Sequence, residues 1–324
     1  MNKVLKILIL ASISLLSVIY IGLMQFQAVK TAEVKEIEIK LTQSNGHPII
    51  AAAGDIACSP TSLYYRDGNG TSNNCHQKAT SDILLKAKLT AVLPLGDTQY
   101  ETGAFSAFEK SYAPSWGRVK NISHPVVGNH EYVTAGANGY YKYFGVAAGD
   151  SSKGYYSYDL GQWHMIALNA NCSQVGGCES GSPQEKWLKA DLAAHKNLCS
   201  LAYWHQPRFS SGEHGNDSSY KAFWQDLYAA GVEVILNGHD HNYERFAPQS
   251  PNGQPDASRG IREFVVGTGG KNLYHFRNIQ PNSEVRNNDT YGVLMLSLEP
   301  KSYSWQFIPE AGKTFTDSGS TPCH

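Results

Sequence analysis

Apolar residues along this chain gather into short unbroken runs, and five of those runs stop in a polar cluster, four of which hold a glycine. Ile49 to Ala53 ends in Gly54-Asp55, Leu89 to Leu95 in Gly96-Asp97, and Pro125-Val126-Val127 in Gly128-Asn129-His130-Glu131. Leu198 to Trp204 delivers His205-Gln206-Pro207, and Val232 to Leu236 delivers Asn237-Gly238-His239-Asp240-His241. Runs this short and this apolar predict buried strands. Helical spacing falls between them: Cys75 to Lys88, with apolar positions at Ala79, Ile83 and Ala87, then Ala104 to Tyr112, Gln184 to Lys196 and Ser219 to Ala230. Tyr156 to Tyr158 and Trp163 to Asn169 predict a hairpin around Leu160-Gly161-Gln162, while Phe264 to Val266, Val293 to Leu298 and Tyr303 to Ile308 predict further strands. The segment from Tyr132 to Tyr156 has no sustained period and reads as a long loop or a set of short turns. Alternating strands and helices predict an α/β fold with a partly parallel sheet, and the strand-rich second half predicts mixed or antiparallel pairing. Ligands bind beyond the carboxyl ends of strands in such sheets, so the five clusters are expected to share one rim.

Size adds room for a large core: 324 residues, 41% hydrophobic and 17% charged, describe a globular chain. A formal net charge of -1 supplies no positive field, so nucleic-acid binding is not expected. Lys3 and Lys6 precede an apolar run from Ile7 to about Met24, the layout of a signal peptide or an uncleaved membrane anchor over residues 1–32. Either version places the body outside the cytoplasm, secreted, periplasmic or at the cell surface, and the uncleaved version adds a membrane tether. Residues 33–48 read as a polar linker and 49–324 as the folded domain. Six cysteines fit an exported, disulfide-bonded chain. Loop proximity favours Cys58–Cys75 and Cys172–Cys178, which leaves Cys199 and Cys323 for each other.

Chemistry enters with the residues at the strand ends. Alternate residues of a strand point to one face, so His239 and His241, just after Gly238, can reach one ion or two adjacent ions. Asp55, Asp97, Asn129, His205, His239 and His241 together make a mixed oxygen and nitrogen donor set too large for one ion. Two metals roughly 3.5 to 4 Å apart and sharing a carboxylate are the usual solution, and such pairs clamp both oxygens of a phosphoryl displacement.

Taken as a set, Gly54-Asp55, Gly96-Asp97-Thr98-Gln99-Tyr100, Gly128-Asn129-His130-Glu131, His205 and Gly238-His239-Asp240-His241 resemble the five blocks of the calcineurin-like metallophosphoesterases. Position 57 is Ala where many members carry a histidine, and Tyr100 follows Asp97 by three residues. That exchange, with the Tyr243-Glu244-Arg245 tail, resembles the purple acid phosphatase branch, over roughly residues 49–270 and as its catalytic domain alone. The resemblance implies a sandwich of two mixed β-sheets flanked by helices, with a dinuclear metal site at the strand C-terminal ends. It implies that Asp55, Asp97, Tyr100 and His241 hold Fe(III), and that Asp97 (bridging), Asn129, His205 and His239 hold a divalent Zn, Mn or Fe ion. His130 and His214 are then the catalytic side chains that bind phosphate and help protonate the leaving group.

The activity so implied is hydrolysis of small phosphomonoesters by a metal-activated hydroxide. A phosphodiesterase or nucleotide hydrolase on the same scaffold is the alternative, and a non-catalytic secreted binding protein is a third reading, against which all seven ligand positions are filled. Loops 57–74, 132–155 and 209–219 match no substrate-defining pattern. His47, His76, His124, His164, His195, His275 and His324 lie outside these blocks and read as surface or packing residues.

Overall fold

A computed structural model describes residues 38–39, 46–196 and 199–324, and Ile37–His324 cluster as one unit. The leader or anchor expected over 1–32 and most of the linker expected over 33–48 lie outside the described residues. Among the described residues, no helix is long and apolar enough to cross a membrane.

Among the described residues, twelve strands form two sheets. The first has five strands: β1 (Ile49–Ala53) lies parallel to β2 (Ala91–Pro94) and antiparallel to β10 (Gly292–Glu299), which continues through β11 (Ser302–Pro309) to β12 (Ser318–Pro322). The second orders seven strands as β3 (Tyr156–Leu160), β4 (Trp163–Ala167), β5 (Cys199–Tyr203), β6 (Val234–Asn237), β8 (Arg262–Val266), β7 (Tyr243–Phe246) and β9 (Ser283–Asn287). Its middle, β4 to β6 and β8, is parallel, and its edges are antiparallel.

Strand periodicity explains the layers. Met165, Leu201, Tyr203, Val234, Leu236, Phe264 and Val266 turn one way and join β1, β2, β10 and β11 in the core between the sheets. Ile166, Ala202, Ile235 and Val265 turn the other way, onto a second cluster with Leu188, Phe223, Trp224 and Leu227. These last four come from α4 (Pro183–Ala194) and α5 (Lys221–Ala229), which cover the outer face. Both faces of the central strands are therefore buried, which is why their sequence is apolar without alternation. On the other flank α1 (Gln77–Lys86) packs on β10 and on the 3-10 turn Trp116–Ile122. A short helical segment, α2 (Phe105–Ala107), runs on as a π turn over Phe108–Tyr112.

Two local expectations change. Pro125 to Val127 forms no strand and contributes one parallel bridge, Leu95 with Val126, because the chain turns at once into the Gly128 block. The segment after Tyr132 is not only loop, since Asn138–Phe144 forms a helix, α3, whose Tyr140, Tyr143 and Phe144 are buried. The predicted hairpin forms with Leu160 opposite Trp163. All three cysteine pairs are disulfides: Cys58–Cys75, Cys172–Cys178 and Cys199–Cys323.

Candidate metal centre

Five chain segments reach the same rim, four of them from strand ends. Beyond β1 and β2 the pairing continues, with Asp55 N–H donating to Gly96 O at 3.2 Å and Ile56 N–H to Asp97 O at 3.0 Å. Gly238 N–H donates to His205 O at 2.9 Å, and Gly54 N–H to Val266 O at 2.8 Å, which ties the two sheets together at this edge. Glycine is required where the segments touch. A Cβ on Gly96 would stand 2.6 Å from His205 Nδ1, and one on Gly128 would stand 2.2 Å from Asp97 Oδ1.

The side chains form two groups that share Asp97. In one, Tyr100 OH donates to Asp55 Oδ1 at 2.8 Å and lies 3.2 Å from Asp97 Oδ2 and 3.0 Å from His241 Nε2, which is itself 3.2 Å from Asp55 Oδ1. In the other, His205 Nε2 lies 3.2 Å from Asp97 Oδ2 and 3.3 Å from His239 Nδ1. Asp97, His205 and His239 present ligand atoms within 4.8 Å of one another. Asn129 lies between Gly128, whose N–H donates to Glu131, and His130, whose N–H donates to Asp97 Oδ1 at 2.8 Å. Its buried Oδ1 has no hydrogen-bond partner among the described residues.

His205 Nδ1 donates to Leu95 O at 2.8 Å and His241 Nδ1 to Asn272 O at 2.7 Å. Both rings are thereby held with Nε2 facing the carboxylates, the arrangement by which proteins orient metal-binding imidazoles. Burial pushes the Asp97 carboxyl up, yet His205 and then His130 bring it well below the usual carboxylate range. Burial lowers His205, but Asp97 raises it to about 9, so among the protein's own groups a proton is held between the two. His239 is pushed down to about 3, by burial and then by His205, which leaves it a neutral donor. Tyr100 is raised well above its ordinary value by burial and by Asp55. A cation beside this set would favour the ionised forms of Asp97 and Tyr100. The donor chemistry, the orphaned Asn129 oxygen and the oriented imidazoles all fit metal ions.

His130 and His214 stand at the mouth. His130 Nδ1 donates to Glu101 O at 2.7 Å, its ring packs on Tyr100 at 4.4 Å, and its Nε2 is 3.9 Å from Asp97 Oδ2. His214 is exposed, with its ring 4.1 Å from that of His239. Strand alternation does not bring His239 and His241 here, as both follow β6 in a bend where His239 has φ +71°. They serve different groups: His239 faces His205, and His241 faces Asp55 and Tyr100.

Three side chains carry weight that sequence reasoning gave them no role for. Buried Glu131 accepts from Thr98 OH, Gln99 N–H and Gly128 N–H, and so holds the Asp97 and Asn129 segments to each other. Burial, then Asp97, raises it to about 7. Its place in Gly-Asn-His-Glu was the available signal. Asp240 accepts from His214 N–H at 2.9 Å and from Ser210 OH, which fixes the His214 loop. Tyr274, with no motif around it, stacks on His241 at 3.9 Å.

The family model for calcineurin-like phosphoesterases matches residues 50–243. Purple acid phosphatase 15 of Arabidopsis thaliana is 27% identical over 62% of this chain and 36% of its own length. A second Arabidopsis relative, probable inactive purple acid phosphatase 1, is 25% identical over 72% of this chain and 42% of its own length. The chain thus spans well under half of these curated relatives. The solved purple acid phosphatase PPD1 of yellow lupin (Lupinus luteus) superposes with a TM-score of 0.69 at 18% identity, over 85% of this chain and 53% of that one, and so shares the fold. The chain belongs to the calcineurin-like phosphoesterases and, within them, is of the purple acid phosphatase-like branch.

Proposed function

We propose that this chain is an exported dinuclear-metal phosphatase acting on small phosphomonoesters. The observation that carries the reading is Asp97 Oδ2, which stands 3.2 Å from Tyr100 OH on one side and 3.2 Å from His205 Nε2 on the other, the position of a carboxylate shared by two ions. Asp55, Tyr100, His241 and Asp97 would hold the harder ion, ferric iron. Asp97, Asn129, His205 and His239 would hold a divalent zinc, manganese or iron. Bound there, the ions supply an acidified water, with a pKa of about 7 in the case of zinc, and neutralise charge on phosphoryl oxygens.

The protein's own groups do the rest. With Nδ1 committed to Glu101 O, His130 presents Nε2 to a phosphate oxygen at the mouth. His214, exposed and anchored by its backbone to Asp240, delivers a proton to the oxygen released when the P–O ester bond breaks. Asp55 Oδ2, accepting from His239 N–H at 2.8 Å, keeps the two groups in register. Three disulfides support export, since such bonds persist in oxidising compartments.

The test is metal analysis, a visible spectrum and hydrolysis of phenyl phosphate against bis(p-nitrophenyl) phosphate on one preparation. Iron with a tyrosinate band and faster monoester hydrolysis are expected. Faster diester hydrolysis would move the chain to the phosphodiesterase reading, and full metal loading without hydrolysis would leave a binding protein.

A further inference from the structure

A second cluster of metal-ligating side chains lies away from the rim, where the β3–β4 hairpin meets the C-terminal end of α4. His164, the second residue of β4, is 1% exposed and pairs in register with Ser200 near the start of β5, so it stands at the opposite end of the parallel strands from His205. Its Nδ1 is 2.9 Å from Asp159 Oδ1 of β3, and its Nε2 is 2.8 Å from Asp191 Oδ2 of α4. One helical turn after Asp191, His195 stacks its ring on His164 with centroids 4.2 Å apart and planes 11° apart. His195 Nδ1 is 3.3 Å from Asp191 Oδ1 and donates to Asp191 O at 2.9 Å. Ligand atoms of His164, Asp191 and His195 all lie within 4.8 Å of one another.

Elementary proton counting makes this arrangement unusual for a packing histidine. A neutral imidazole carries one N–H, and here both nitrogens of a buried ring face carboxylates, which only accept. With one N–H on Nδ1, Nε2 needs a positive partner of its own, a second proton or a cation. A proton satisfies His164 alone, and neutral His195, already bonded to Asp191 O, has no share in it. One divalent ion satisfies both rings and Asp191 together.

We infer that His164, Asp191 and His195 form a second cation site, specific for a borderline divalent ion of the zinc class. Two imidazoles and one carboxylate, with a coordination position open to solvent, are the donor set such ions prefer. Asp159 acts as the outer carboxylate that orients His164, the usual companion of a ligating histidine. Ser157 OH, donating to Asp191 Oδ1 at 2.6 Å, orients the carboxylate in the same way. The carbonyl end of α4 adds a field favourable to cations, and the half-open His195 gives the ion a way in. Binding displaces the proton on His164 Nε2 and takes His195 Nδ1 from its bond to Asp191 O, so it releases a proton and tightens as pH rises. The ion would pin α4 to the hairpin and takes no part in hydrolysis.

Equilibrium dialysis of the full chain against zinc, with metal counted per chain, tests this. Wild type should retain one zinc more than His195→Ala, with phosphoester hydrolysis equal in the two. Asp159→Asn should weaken that extra site by about 10- to 100-fold. Because the result is a difference between variants, it does not depend on what the rim holds. His195→Ala changes a partly exposed side chain and should fold. Wild-type zinc stoichiometry and affinity in both His195→Ala and Asp159→Asn would overturn the inference.

Discussion

Asp55, Asp97 and His239 share a property that no motif spells out: each has a left-handed backbone, with φ of +59°, +44° and +71°. Non-glycine residues adopt that region rarely and at a cost of about 1 to 3 kcal/mol, so its recurrence at three proposed ligands marks a place where aim outweighs local stability. That these side chains would share one rim was legible, because each follows an apolar run and most follow a glycine. Glu131 was not, since its role comes from three hydrogen bonds to segments that only the fold brings together. At this scale the proton donor can be tested. His214→Ala should slow hydrolysis of alkyl phosphates roughly 10²-fold or more while leaving p-nitrophenyl phosphate less affected, because a nitrophenolate leaves without a proton. Steady-state rates on the two esters, with metal content unchanged, check this, and equal losses would confine His214 to binding phosphate.

Elements were legible where burial is two-sided. β1, β2, β5 and β6 could be read from composition, whereas β7, β9 and β12 mix charged, polar and apolar residues and carry no such signal. The bend after β6 defeated the alternation argument for His239 and His241, because the strand stops at Asn237. The loop carrying His214 is set by the same bend. Asp240 Oδ1 accepts its backbone, and a Cβ on Gly212 would come within 2.4 Å of the Asp240 carboxyl carbon. Gly212→Ala should therefore push this loop off Asp240 and lower kcat on alkyl phosphates about as much as His214→Ala, with the metals retained. Kinetics with metal analysis reads it, and a fully active Gly212→Ala would show that the loop is not held by Asp240.

Across the whole molecule, the sandwich brings segments distant in sequence to one edge, and one disulfide joins its seven-stranded sheet to the C-terminal segment. Which strands pair, and the excursion through β8 before β7, could not be read from sequence because pairing is a long-range property. The cysteine pairs could, since two of them close short loops. Cys199–Cys323 joins residues 124 apart, from the centre of the seven-stranded sheet to the end of the chain. A loop of that length restricts the unfolded chain strongly, so Cys199→Ser with Cys323→Ser should cost about 2 to 5 kcal/mol. Denaturant unfolding measures it, and an unchanged midpoint would mean that this crosslink contributes nothing to stability.

The shared carboxylate is the centre of the account, and the direct measurement is metal content together with phenyl phosphate hydrolysis for Asp97→Ala. Both are best taken in the His195→Ala background, so that the second site does not enter the count. Two ions per chain with hydrolysis are expected when Asp97 is present. Loss of at least one ion and a fall in rate of about 10³-fold or more are expected when it is replaced, since one ion cannot serve both sides of the displacement. An Asp97→Ala chain that keeps two ions and most of its activity would contradict the bridging role of Asp97.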